Sequence, residues 1–402
     1  MESEDIVVEP TFVLLFSIRL KGVFTGFEKS SANLLPIPSN EAKTYMNVLN
    51  EFEERLLGSA FQQSRRITRW PLGRITLNEL GENAPTYADV YLLSHKSGVA
   101  VWEIWLSAPP RNFNAPNWIT WLDSDSEASV VAQLWRVLSV VNQEISGKPL
   151  WSGLYFPLTL LNLPRLPLAE LVQVHGQDIV RLLFRDSSTL AFKPDVVTQE
   201  LARDYCLRQS GMTFLARRGG IDMREAEENS PQSSQPNPLS RQSFLPFLIT
   251  VELLVLEHAV LQHLYDRLSR HVPKSVEELI ALKDAVNDGL QEYSGVITNA
   301  NRMTDAVTSD GEILLGLEDM YNAVMNKLEA VSFAITTQSQ RHTTLMQFWL
   351  TIVFGATEIG FLGASLATWY YRTGLAVVLA WTIGATIVSG LTLMLVLRGK
   401  IE

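Results

Sequence analysis

Apolar and polar positions repeat with three different periods along the 402-residue chain. In the first half the period is mostly two. Tyr87–Leu93 and Val99–Leu106 carry β-branched and aromatic residues on either side of His95-Lys96-Ser97-Gly98, which predicts a hairpin with a glycine-containing turn. Thr11–Leu20, Gly153–Leu160 and Asp178–Phe184 are further predicted strands. Helical spacing intervenes over Glu41–Leu57, with Asn40 as N-cap, over Glu127–Ile145 and over Asp195–Arg208. Strands mixed with helices over residues 1–216 predict an α/β or α+β domain on the cytoplasmic side.

Residues 217–241, RRGGIDMREAEENSPQSSQPNPLSR, lack apolar periodicity and are rich in Gly, Pro, Ser, Gln and Asn, which predicts a flexible linker. The Gly219-Gly220 pair reads as a flexible joint within it. Residues 242–344 then read as a helical stalk region. Ser243 caps a helix with Pro246 in its first turn, and the helix continues through Leu264. Glu252, Glu257, His258, His263 and Asp266 argue against placing that helix in lipid. Ser275 and Glu278 form a capping box for the next helix. Leu317, Tyr321, Val324, Leu328, Val331, Ile335, Gln338, His342 and Leu345 then alternate in steps of four and three, a heptad seam that predicts either a coiled-coil stalk or packing on the chain's own domain.

The third period is continuous. Leu345–Tyr370 and Leu375–Leu397 are apolar runs, each long enough as a helix to cross a hydrocarbon core of about 30 Å, so residues 345–397 predict a two-helix transmembrane hairpin. Trp369, Tyr370 and Tyr371 form an aromatic belt before a turn at Arg372 and Thr373. Arg341, Arg398 and Lys400 flank the spans, against Arg372 alone in the turn. The positive-inside rule therefore predicts a multi-pass protein of the inner (plasma) membrane, with both termini and the 398–402 tail cytoplasmic. The early apolar stretch Phe12–Phe16 is too short and its flank too acidic for a signal peptide.

Composition narrows the function classes. The 43 acidic residues against 33 Lys and Arg give a net charge of −10, which argues against nucleic acid as a partner. One cysteine, Cys206, excludes an internal disulfide framework and suits a reducing compartment. No phosphate loop, HExxH, GxSxG or zinc-spaced Cys/His cluster occurs, so no enzyme and no organic cofactor are expected.

Glu358 stands out, because a carboxylate in the middle of a span costs about 3 kcal/mol to insert unless it faces water, a partner or a cation. Steps of seven join it to Thr351 and Ser365, and Gln347 and Thr368 extend the polar stripe. In a symmetric oligomer these five residues would form pore-lining rings, and a Glu358 ring would bind a divalent cation. The alternative is a protonated Glu358 bonded to a neighbouring helix. Ala356, Gly360 and Ala364 on the first span, and Ala380 and Gly384 on the second, have small-xxx-small spacing.

An α/β domain, a helical stalk, two C-terminal spans with a short outer turn and a basic C-terminus together resemble the CorA-type magnesium transporters. The resemblance is one of architecture and is strongest from Phe244 onward. It implies a homo-oligomer, a pentamer in that family, with the first span lining a cation pore gated by the cytoplasmic domain. The family's Gly-Met-Asn signature is replaced here by Trp369-Tyr370-Tyr371-Arg372-Thr373-Gly374, and Arg372 at that mouth would repel magnesium. A divergent member is therefore one expectation. The other is a membrane-anchored sensor or effector whose cytoplasmic domain binds a ligand or partner and whose hairpin anchors or permeabilises the bilayer, as in bacterial defence effectors.

Overall fold

The run Phe12–Phe16 forms the middle of strand β1 (Val7–Arg19), and all of its side chains are buried. A strand with no solvent-facing side needs cover on both faces, and each buried Leu, Val or Phe contributes about 1.5–3 kcal/mol. In the computed structural model, which describes residues 6–20, 24, 34–57, 67–77, 85–123, 129–146, 153–163, 168–188, 190–225, 243–270, 276–290, 302–371 and 375–398, that cover is two layers of helices.

Strand β1 lies inside an eight-stranded mixed sheet with β2 (Ile67–Thr76), β3 (Tyr87–His95), β4 (Val99–Ser107), β5 (Arg111–Asn112), β6 (Tyr155–Leu163), β7 (Gly211–Ala216) and β8 (Gly219–Glu225). The order is β2-β3-β4-β1-β6-β8-β7, with β5 paired to β1 off this path. Only β6 and β8 run parallel. Strands β3 and β4 form the expected hairpin, with His95 opposite Val99. Strand β2, absent from the expectations, is an edge strand with an irregularity at Pro71/Gly73, where a proline is tolerated.

One face of the sheet carries α2 (Ala115–Leu122), α3 (Val130–Ser146) and α4 (Leu168–Phe184), which bury Trp118, Leu134 and Leu171 in one core with Phe12, Leu14 and Phe16. Asn114 caps α2 by accepting from the Asn117 amide at 3.1 Å, and Ser129 caps α3 by accepting from Ala132 at 3.0 Å. The other face carries α6 (Leu245–Arg270), which packs on β1, β4, α1 (Ser39–Leu57) and α8 (Arg302–Leu315).

Several expectations are corrected. Asp178–Phe184 is the end of helix α4, not a strand. Its buried residues, Leu168, Leu171, Gly176, Ile179, Val180, Leu182 and Leu183, follow a helical spacing that a seven-residue window hides. Asn40 is inside α1, which begins at Ser39. The expected helix Asp195–Arg208 is α5 (Pro194–Leu201), and beyond it the Asp204 carboxylate accepts the Cys206 and Thr213 amides at 2.8 Å, ending helical pairing.

The linker at 217–241 begins as a core strand. Arg217 and Arg218 are the β7–β8 turn, and β8 buries Ile221 and Met223 beside β6. A Cβ on Gly219 would lie 2.8 Å from the Pro157 carbonyl oxygen, and one on Gly220 would lie 2.7 Å from the Phe247 ring. This pair permits close packing and is no joint. Residues 226–242 and Ser275 lie outside the described residues.

The chain divides into two units, Met1–His271 with Ala281–Lys327, and Val272–Ile280 with Leu328–Glu402. The expected stalk region 242–344 is therefore split: α6 and α8 are layers of the sheet unit. Helix α9 runs from Leu317 to Tyr371, with residues in both units. The heptad seam is buried at Leu317, Val324, Leu328, Val331 and Ile335, and Leu279 of α7 (Val276–Leu290) joins Val331 and Ile335 in one apolar cluster of the second unit. Over this stretch the seam packs on the chain's own residues. Leu345 is exposed, and the side chains of Gln338 and His342 lie outside the described residues.

Candidate functional site

Among the described residues, two helices are long and apolar enough to cross a membrane: α6, and the Thr343–Leu366 segment of α9. They differ in cover. Helix α6 is mostly buried, with Glu252 in the interior of the sheet unit, whereas the α9 segment exposes Met346, Phe354, Phe361, Leu362 and Leu366. Helix α10 (Leu375–Arg398) is also apolar and exposes Ile383, Val388 and Leu391. Exposed apolar surface of this extent calls for lipid or protein cover.

Within the second unit, α9 and α10 meet through small residues. Cβ positions at Gly363 and Gly390 would lie 3.3 Å from Ala385 Cβ and 3.6 Å from Ala356 Cβ, and one at Gly360 would overlap the Thr386 hydroxyl. The Ser389 hydroxyl is shared between the Thr386 carbonyl of its own helix at 3.1 Å and the Ala356 carbonyl of α9 at 3.4 Å. Ala356 and Gly360 thus let α9 and α10 approach closely. Ala380 and Gly384 are exposed, and Gly384 has no neighbour within 4 Å of a built Cβ.

The α10-facing side of α9 consists of Ile352, Ala356, Gly360 and Gly363. At about 100° per residue, Gln347, Thr351, Glu358 and Ser365 all lie about 180–220° around the helix from Ala356, on the opposite side. All four are exposed. The Thr351 hydroxyl donates to the Gln347 carbonyl at 2.8 Å and Ser365 to Phe361 at 2.9 Å, so their hydrogens are spent on the helix and their lone pairs face outward. Glu358 has no hydrogen-bond or ion-pair partner among the described residues. Phe354 and Phe361 lie within about 60° of it on the same side. The side chain of Thr368, the fifth predicted stripe residue, and residues 372–374 are outside the described residues.

No group of three or more His, Cys, Asp or Glu placed to hold a metal ion occurs among the described residues. One chain offers one Glu358, so a cation ring at this level needs further copies.

The other concentration of chemistry was not singled out from the sequence. Arg69 of β2 is enclosed by Glu103 of β4, Glu252 of α6 and Glu53 of α1, with side-chain exposures of 4%, 0%, 1% and 17% respectively. Arg69 holds Glu252 through both terminal nitrogens at 2.7 and 2.6 Å, reaches Glu53 at 2.9 Å, and donates to Glu103. Glu103 also accepts from the Tyr45 hydroxyl and, at 2.5 Å, from the Trp105 indole. Tyr45 packs between Tyr91 and Trp105, with ring centroids 4.8 and 5.4 Å away.

Burial opposes the Arg69 charge, but Glu252, Glu103 and Glu53 outweigh it and hold its pKa well above the ordinary value. Burial, with repulsion from Glu103 and Glu53 against the pull of Arg69, pushes Glu252 up to about 8. Burial also raises the Tyr45 hydroxyl, and Glu103 adds to this. The sequence signal for the cluster is an acid inside each of two apolar runs, Glu103 in Val99–Leu106 and Glu252 in α6.

A smaller network joins β7 and β8. Asp222 accepts from Thr213 at 2.9 Å and pairs with Arg224 at 2.8 Å, and Arg224 also contacts the Cys206 sulfur at 2.7 Å. Burial pushes Asp222 up to about 7 against the pull of Arg224. Comparison with protein-family models, with curated proteins and with solved structures gives no match to this chain.

Proposed function

We propose that the chain is an integral membrane protein that assembles as a homo-oligomeric, CorA-like cation channel or transporter. In this reading Leu345–Tyr370 and Leu375–Leu397 span the plasma membrane as a hairpin with both termini cytoplasmic, and the sheet unit gates the pore. The observation that carries the reading is the exposed stripe of Gln347, Thr351, Glu358 and Ser365 on the side of α9 away from α10. A carboxylate there is stabilised by water, a cation or a further copy of the chain, and a ring of such groups favours cations over anions.

The expected result is an oligomer in detergent whose liposomes pass cations, with flux lowered in Glu358→Gln while the oligomeric mass is unchanged. Unchanged flux in Glu358→Gln would remove the role given to this residue. The replacement of Gly-Met-Asn by Trp369–Gly374 favours a second reading, a membrane-anchored sensor or effector. A monomer or dimer without flux is its expected signature.

A further inference from the structure

Among the described residues, α10 covers one side of α9, that of Ala356, Gly360 and Gly363, opposite the side that carries Glu358. The two flanks between these sides stay open. Counted at about 100° per residue, Phe354 and Phe361 lie about 40–60° to one side of Glu358, and Gly355 and Leu362 about 40–60° to the other. Phe354, Phe361 and Leu362 are 65%, 69% and 64% exposed, and Gly355 is half-exposed.

The flanks differ in shape. Two aromatic rings project from the first, whereas Gly355 leaves a notch in the second, two turns before Leu362. Each ring has a counterpart at nearly its own depth on the other flank, because Phe354 and Gly355, like Phe361 and Leu362, are consecutive and about 1.5 Å apart along the axis.

Lipid is a poor occupant for these flanks. The Glu358 carboxylate lies between them, and acyl chains on both would hold it in hydrocarbon, which is costly. Copies of the same helix on both flanks instead turn the carboxylate toward an interior shared by several chains. In a closed ring of about four to six parallel helices, each helix meets its neighbours about 45–60° either side of the direction to the axis. With Glu358 directed at the axis, those are the directions of Phe354 and Phe361 on one side and of Gly355 and Leu362 on the other. Helix α10 then falls outside the ring, where Ile383, Val388 and Leu391 meet lipid. A dimer built on a two-fold axis through the aromatic flank would pair Phe361 with Phe361 and leave Gly355 bare.

We propose that the aromatic flank of α9 docks on the notched flank of α9 in the next copy of the chain, with Phe354 seated over Gly355 and Phe361 against Leu362, so that the copies close into a ring around Glu358. The axial position of Glu358 rests on the pore reading, and the contact is tested through its own residues.

The test places Phe361→Cys and Leu362→Cys together in a full-length Cys206→Ser chain in lipid vesicles. Consecutive cysteines on one helix diverge by about 100° and do not bridge each other, so mild oxidation is expected to link chains into a ladder on a non-reducing denaturing gel, ending at the ring size. Each single variant is expected to run as a monomer. A pair variant that runs as a monomer overturns the contact, and so does Phe361→Cys alone dimerising as fully as the pair links. Gly355→Leu fills the notch, so its oligomer should dissociate in detergent at about tenfold higher protein concentration, and adding Phe354→Ala should restore much of the assembly. Wild-type assembly in Gly355→Leu, or no rescue by Phe354→Ala, overturns the seating of Phe354. Should Gly355→Leu fail to fold, the cysteine pair decides. A ladder without cation flux keeps the contact and removes the pore, whereas flux without a ladder keeps the pore and removes the contact.

Discussion

Replacing Arg69 with Met takes the guanidinium from between carboxylates whose side chains are 0% and 1% exposed, Glu103 and Glu252. The methionine fills much of the volume, so the change isolates charge from packing. Tyr45 and Trp105 still donate to Glu103, but Glu252 keeps no donor among the described residues. Removing one partner of a buried ion group costs about 3–5 kcal/mol, because the remaining charges stay buried without compensation. Domains have total stabilities of about 5–15 kcal/mol, and about 1 kcal/mol moves Tm by about 2–4 °C at this size. Arg69→Met should therefore melt about 6–20 °C below wild type. Trp105, which bonds Glu103, makes tryptophan fluorescence a suitable readout. The triple variant Arg69→Met, Glu103→Gln, Glu252→Gln should regain most of the loss, since neutral groups no longer need the cation. A single variant melting within about 1 °C of wild type, or a triple variant no better than the single, would refute the view of this cluster as a mutually dependent charge group.

Three other outcomes follow from the packing. Gly220→Ala puts a methyl 2.7 Å from the Phe247 ring and 3.0 Å from Leu158, so chemical denaturation should show about 1–3 kcal/mol lost; a neutral change would mean that α6 yields easily. Ala356→Cys with Gly390→Cys, in a Cys206→Ser background, should form an α9–α10 disulfide on mild oxidation, because the two Cβ positions are 3.6 Å apart; free thiols after oxidation would contradict this contact. Asp222 has its pKa raised from 3.8 to about 7, so its contribution to stability is full below pH 4 and is lost as pH rises through 7. Melting of Asp222→Asn should vary less with pH between 4 and 7 than wild type, and identical slopes would argue against this assignment.

Much of the architecture can be read along the chain, where the signal is local and repeated. The β3–β4 hairpin follows from two alternating runs around His95–Gly98, β1 from an apolar run, and the apolar character of α9 and α10 from length and low charge. The candidate stripe is equally local, since seven-residue steps on one helix decide which side chains share a side. The errors arise where a segment's fate depends on distant residues. Asp178–Phe184 looks like a strand in isolation and becomes a helix because Leu168 and Leu171 extend its buried side. Gly219-Gly220 looks like a joint and becomes a strand because Pro157 and Phe247 leave no room for a Cβ.

The Arg69 cluster is the strongest case of this dependence. Arg69, Glu103 and Glu252 come from positions 34 to 183 residues apart, and no sequence period connects them. The sequence by itself determines which segments are apolar, where an acid interrupts them, and which side of α9 is polar, because these properties belong to neighbours on one element. Only the tertiary structure decides that two of those acids share one guanidinium, that α6 is a layer of the sheet unit and that the seam of α9 is filled by the chain's own residues. Desolvation acts between elements, so a charge becomes costly or stabilised only once the fold has chosen its neighbours.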